Sequence, residues 1–81
     1  MSPGQCRAAR GYLGWSQQDL AMKANVGLST VRDFEAARRQ PIANNIDAMR
    51  RALEGAGVRL LFNDDGSPFG VRGPLPIAPI G

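Results

Sequence analysis

Apolar side chains recur every three or four residues from Cys6 to Ala56 and at alternate positions from Val58 onward, so the period of the pattern changes once along the chain. The first period suits four helical segments. The first spans roughly Pro3 to Leu13, with Ala9 and Leu13 on one face and Cys6 a turn earlier. Ser2 is its candidate cap, Pro3 takes the first helical position where a missing N–H is harmless, and Gly14 ends it. The second follows Ser16 and reaches about Ala24; the Ser16 hydroxyl is placed to accept from the backbone N–H of Asp19, whose carboxylate sits in the first turn. The third spans roughly Leu28 to Ala37 and the fourth Asn45 to about Ala56, with Ile46, Met49, Leu53 and Ala56 along one side. Pro41 closes the loop between them by keeping the residue before it out of helical geometry, and Gly55 and Gly57 stop the fourth.

In the second period Val58, Leu60 and Phe62 alternate with Arg59 and Leu61, the turn-rich NDDGSP follows, and Phe69 and Val71 resume; this predicts a β-hairpin with a loop of about four to six residues. A hairpin alone is marginal in water, so it must rest on the helices or pair with another subunit. The final GPLPIAPIG holds three prolines and no charge, which suits an extended, flexible tail. The expected fold is mainly α: a small helix-turn-helix bundle of four to five helices followed by a short C-terminal β-hairpin. Its expected organisation is a helical domain over 1–57, a hairpin of the same domain over 58–72 and a Pro-rich tail over 73–81.

The stretch QQDLAMKANVGLSTVRDFEA stops one helix and starts another within three residues. Two short helices held at a steep angle by so tight a connection need particular residues at particular places. Counting from Gln17, the fourth, eighth, tenth, fifteenth and eighteenth positions should be apolar, and they are Leu20, Ala24, Val26, Val31 and Phe34. The fifth must be small where the second helix crosses, and it is Ala21. The ninth must accept a left-handed backbone, and it is Asn25, the most comfortable residue there after glycine. The break is thus a turn built for close crossing.

Composition narrows the chemistry. At 81 residues the chain holds one domain with a thin core. Cys6 is the only cysteine and histidine is absent, so no intrachain disulfide forms and the usual zinc ligands are missing. Cys6 itself is expected to be a small helix side chain, in keeping with a reducing compartment. No metal or cofactor is expected. No apolar run approaches the ~18 residues of a membrane span, and MSPGQCRAAR lacks the apolar segment of a signal peptide, so a soluble cytoplasmic protein is expected. Charge is uneven: residues 1–51 carry eight Arg or Lys against four acids, while the remainder carries two against three. A basic helical half favours a polyanion partner, although a solvated face has the same look. Catalysis is not expected, since no histidine can act as a base, Cys6 has no evident partner, and the paired Asp64 and Asp65 are explained by the turn.

The segment GWSQQDLAMKANVGLSTVRDFEAARRQP resembles the Cro/C1-type (Xre-like) helix-turn-helix proteins, and the resemblance extends over about residues 5 to 55. It implies a bacterial regulator whose segment from Gly27 is a recognition helix entering the major groove with its N-terminal residues at base edges. It also implies a structural ion pair between Arg10 and Glu35, and phosphate contacts from the glutamines that open the preceding helix. Gly27 stands where the family usually has Ser or Thr, and Leu28 where a polar base-reading residue is common. Leucine can meet a thymine methyl but makes no bidentate contact.

On a helix starting near Gly27, Leu28, Ser29, Arg32 and Asp33 project opposite Val31 and Phe34 and form the candidate base-reading set. Arg32 leads it, because its guanidinium fork matches guanine O6 and N7. Asp33 suits cytosine N4 but is better read as holding Arg32. The Ser29 and Thr30 hydroxyls suit base edges or phosphates, Thr30 being grouped with the latter. Gln17 and Gln18 follow the Ser16 cap beside free backbone N–H groups, and Arg38, Arg39, Asn44 and Asn45 flank the exit of the recognition helix, where they can clamp the DNA backbone. Trp15 is expected in the core as a staple.

The leading expectation is a sequence-specific double-stranded DNA-binding transcriptional regulator acting as a homodimer on a palindromic operator. Its dimer would form through a strand edge carrying Val58, Leu60, Phe62 or Phe69. The alternative is an adaptor or antitoxin-like neutraliser that uses the same fold to bind a regulatory protein partner, with DNA contact secondary.

Overall fold

A computed structural model describes residues 1–73 and orders them as α1 (Pro3–Leu13), α2 (Gln17–Ala24), α3 (Leu28–Glu35), α4 (Ala43–Gly55), β1 (Arg59–Phe62) and β2 (Pro68–Arg72). The tail expected over 73–81 lies, apart from Gly73, outside the described residues. Both leading helices start with complete capping boxes. The Ser2 hydroxyl accepts from the Gln5 N–H at 3.0 Å while the Gln5 side chain accepts from the Ser2 N–H at 3.0 Å, and Ser16 and Asp19 do the same at 2.9 Å each.

Between α2 and α3 the backbone reverses at Asn25, which adopts φ 56° and ψ 47° and donates its N–H to the carbonyls of Ala21 and Met22. Ala21 is 3% exposed under the crossing helix, so the small side chain there is what allows α3 to approach. The core gathers Cys6 and Ala9 of α1, Leu20 and Ala21 of α2, Val31 and Phe34 of α3, Met49 and Leu53 of α4, and Val58. Trp15, Leu28 and Val71 pack against it from the rim.

Two helix boundaries differ from the pattern. The third helix stops at Glu35 rather than Ala37 because Ala37 swings to φ 57°, a left-handed turn in which the Arg38 N–H reaches back to the Asp33 carbonyl at 2.9 Å. The fourth begins at Ala43 rather than Asn45: extended Ile42 supplies its carbonyl to Asn45 and Ile46, so a helix starts there with no side-chain cap. Alanine at a left-handed position is strained, and Ala37→Gly is expected to stabilise the fold by up to about 1 kcal/mol, read as a raised Tm by circular dichroism.

The hairpin is antiparallel, with Arg59 opposite Arg72, Leu60 opposite Val71, Leu61 opposite Gly70 and Phe62 opposite Pro68; the register slips between Leu61 and Phe62 because Phe69 is an extra residue on β2. Gln5 anchors it. Having closed the cap of α1 with its oxygen, Gln5 donates its Nε2 to the carbonyls of Leu61 at 2.8 Å and Gly70 at 2.9 Å, and it is 3% exposed. Val58 and Leu60, expected on an exposed strand edge, are instead 1% and 9% exposed, because the alternation turns them inward onto the helices. Phe62 and Phe69 remain 44% and 60% exposed.

Candidate nucleic-acid interface

α3 has eight residues and three of them, Val31, Phe34 and Glu35, are buried. With the inner face so occupied, Ser29 and Arg32 are exposed and Thr30 and Asp33 half-buried at the margin. Arg32 has no carboxylate within ion-pair reach among the described residues, so its fork is free. That overturns the expectation that Asp33 holds it. Leu28 is half-buried and packs on the core, so only part of its side chain faces outward. Gly27 takes the extended geometry of a cap without a side-chain bond, leaving the amides at the start of α3 uncovered.

The segment that follows α3 returns beside it. A cleft of about 230 Å³ separates Ser29, Thr30 and Asp33 of α3 from Arg39, Pro41 and Asn45, bringing both sides of the expected contact surface together. Arg38, Arg39 and Asn44 are exposed and Asn45 half-buried, and neither arginine is in an ion pair among the described residues. Gln18 is exposed at the start of α2. Gln17 is half-buried at the same helix start, and its Nε2 donates to Glu35 Oε1 at 3.1 Å, which engages one of the two amide hydrogens expected to meet a phosphate and leaves the other. Lys23 lies over the Trp15 ring, 5.6 Å from its centre.

What aims α3 is a buried carboxylate at its last residue. The Glu35 side chain is 2% exposed and that of Arg10 17%. Arg10 grips it with a two-pronged fork, Nη2 to Oε1 at 2.6 Å and Nε to Oε2 at 2.7 Å, and donates Nη1 to the Trp15 carbonyl at 2.9 Å. Cys6 donates its thiol to Oε2 at 3.1 Å, and Arg7 donates to the Glu35 backbone carbonyl. One carboxylate therefore joins α1, the turn before α2, α2 and α3. The sequence reading had only the Arg10–Glu35 part of it. Cys6 and Arg10 are four apart on one face of α1, a spacing that would have flagged the thiol as a second ligand of the same acid.

Burial alone would push the Glu35 carboxyl up, but the hydrogen bonds from Arg10, Cys6 and Gln17 outweigh it and hold the group below the ordinary carboxylate value of 4.5. The Cys6 thiol is driven the other way, chiefly by burial and then by its bond to Glu35, and so stays a protonated donor. A carboxylate whose folded pKa lies below its unfolded one contributes stability that is complete above the unfolded value and lost as pH falls through the folded value. Acid titration of unfolding is therefore expected to show a loss of stability below pH 4.5 that is smaller in a Glu35→Gln, Arg10→Met double variant, where only other lowered carboxylates such as Asp47 and Asp65 remain, checked by urea melts across pH.

A family model described as Helix-turn-helix matches residues 7–55, more than half of the chain. The chain belongs to the Cro/C1-type helix-turn-helix family. Over 55 residues it is 46% identical to the Saccharomyces cerevisiae protein named "Multiprotein-bridging factor 1", a match covering 68% of this chain and 34% of the relative. Over 64 residues it is 36% identical to the Yarrowia lipolytica protein named "Putative multi-protein-binding factor 1", covering 79% of this chain and 40% of the relative. The chain thus spans between a third and two-fifths of the length of these relatives. Both are yeast proteins and lend no support to the bacterial setting implied by the resemblance. Among the described residues no helix is long and apolar enough to cross a membrane.

Proposed function

We propose that the chain is a sequence-specific double-stranded DNA-binding transcriptional regulator that lays α3 in the major groove and acts as a homodimer on a palindromic operator. The observation that carries this reading is Arg32: an unpaired guanidinium on the outer face of a helix whose far end is bolted by a buried carboxylate. In this reading Arg32 reads guanine, Ser29 and the outer part of Leu28 meet neighbouring base edges, and Asp33 accepts from cytosine N4. Gln18, Thr30, Arg38, Arg39, Asn44 and Asn45 hold phosphates on either side. Two copies double the electrostatic contribution and place recognition helices on half-sites about 34–36 Å apart.

Selection from a pool of randomised duplexes, followed by titration of the winning sequence against salt, tests it. A two-fold-symmetric consensus and a slope of about −0.9 per phosphate contact on a log–log plot are expected. Failure to enrich any sequence would end the specific reading. A second reading, a binding module for another protein with DNA contact secondary, is favoured by the printed names of the two relatives and by the exposure of Tyr12 and Phe69, each 60%. It calls for almost no salt dependence on duplexes of operator size. Both readings make the chain a binding protein and not an enzyme.

A further inference from the structure

The two edges of the hairpin differ. β2 lies against α1 and β1 meets α4, and among the described residues no strand pairs with the outer edge of β1. Which groups point out of it follows from the turn: the Asn63 N–H points inward, donating to the Ser67 carbonyl at 2.8 Å, and the strand alternates from there. Leu61 and Arg59 therefore also face β2, while the N–H and C=O of Phe62 and Leu60 face outward. Pro68, which has no N–H to give, stands opposite Phe62 as this parity requires. Among the described residues neither Leu60 nor Phe62 makes a backbone hydrogen bond outside the hairpin. The extra residue of the bulge is on β2, so the open edge of β1 is regular.

Charge is laid along this edge in a definite sense. Arg59 and Arg72 stand opposite each other at the base, and Asp64 and Asp65 sit at the tip. All four are exposed, and none is in an ion pair among the described residues. Like charges directly across a ladder are unfavourable, so the base is left as an unneutralised cation pair. An acidic peptide added to β1 would suit the base and be repelled by the tip, and a basic one the reverse. The segment that suits both ends is the same hairpin running the other way.

We propose that β1 pairs antiparallel with β1 of a second copy, Leu60 of each chain lying opposite Phe62 of the other, with Leu61 on the two-fold axis. The outward groups of Leu60 and Phe62 then form four backbone hydrogen bonds, completing a four-stranded sheet across the dimer. Arg59 comes opposite the Asn63 position of the second chain, beside its Asp64, at both ends of the ladder. Phe62, 44% exposed in one chain, then lies next to the Leu60 position of the other on the inner face of the sheet. This deepens the proposed function, which requires a dimer, by assigning its edge, register and charge pairing. The side chains of Val58 and Leu60 remain in their own core, and only the backbone of Leu60 joins the interface.

Light scattering and sedimentation of the full chain test the arrangement through charge exchange. Wild type is expected to show a two-chain mass in the micromolar range. Arg59→Asp alone and Asp64→Arg alone each place like charges at both ends and should weaken the dimer about tenfold. An equimolar mixture of these two variants should recover the two-chain mass, because every end again joins a cation to an acid; a misfolded variant could not do this. Phe62→Pro, which removes an outward N–H and no bond of the hairpin's own ladder, should give single chains with an unchanged helical spectrum. A wild type of single-chain mass, or a dimer indifferent to all of these changes, overturns the proposal. Anisotropy titration of wild type with a fluorescein-labelled mixed-sequence duplex at low salt separates the two readings: steep salt-dependent binding by a single chain removes only the dimer, and a dimer that binds no duplex removes only the DNA reading.

Discussion

Replacing Glu35 with alanine is expected to destabilise the fold by about 3 kcal/mol, a large part of what holds so small a domain together. The figure sits at the low end for breaking a buried pair because Arg10 keeps 17% of its side chain in water. The loss comes from what is left behind. The Arg10 guanidinium, the Cys6 thiol and the Gln17 amide all lose their shared acceptor, and the last residue of α3 keeps only the Arg7 bond to its backbone carbonyl as a link to α1. Removing both charges with well-packed apolar residues, as in Arg10→Met with Glu35→Leu, should restore most of the stability while leaving the orientation of α3 less strictly held. Urea unfolding followed by circular dichroism checks the first part and duplex affinity the second. If Glu35→Ala unfolds at the wild-type midpoint, the carboxylate does not organise the core.

Arg32→Ala is expected to have the largest effect on recognition. Its fold should be intact, since the side chain is exposed and touches no ion-pair partner among the described residues. Preference for guanine at one operator position should fall by about 1–3 kcal/mol, roughly 5- to 150-fold, while affinity for unrelated duplexes changes little beyond the loss of one charge. Arg38→Ala should behave in the opposite way, weakening all duplexes alike and reducing the salt slope by about 1. Competition binding with single-base variants of the selected sequence separates the two patterns. Equal loss on every sequence in both variants would move Arg32 from base reading to phosphate contact.

Most of the helical half was legible because its signals are local. A serine ahead of an apolar helical run caps it locally, as Ser2 and Ser16 both do, and Ser16 with Asp19 closes the expected capping box. Asn25 in a left-handed turn, Ala21 beneath the crossing and apolar residues at five further positions specify a sharp reversal within a few residues of chain. The change from a period near 3.6 to a period of two marked where helix gives way to strand.

The places where reading along the chain fell short all involve one group choosing between partners far apart in sequence. Gln17 looked wholly free for a phosphate because its neighbours are polar, yet Glu35, eighteen residues on, takes one of its two amide hydrogens. Asp33 looked like a tether for the adjacent Arg32, but the two make no ion pair among the described residues. Gln5 read as no more than a helix residue and is the bolt between α1 and the hairpin, across separations of 56 and 65 residues. Val58 and Leu60 had the right alternation, but alternation says only that two faces differ and not which one meets the helices.

By itself, then, the amino-acid order determined the helices, the tight turn and the hairpin, because caps, left-handed residues and apolar spacing act over a few residues and carry their own energetics. Tertiary structure alone decided that Glu35 also gathers Cys6 and Gln17 beside its expected partner Arg10, that Gln5 clasps the hairpin, and that Arg32 is left out of any ion pair among the described residues. Desolvation is the reason: a polar group taken out of water must find a partner, and which partner lies within hydrogen-bond reach is settled only when distant segments have packed.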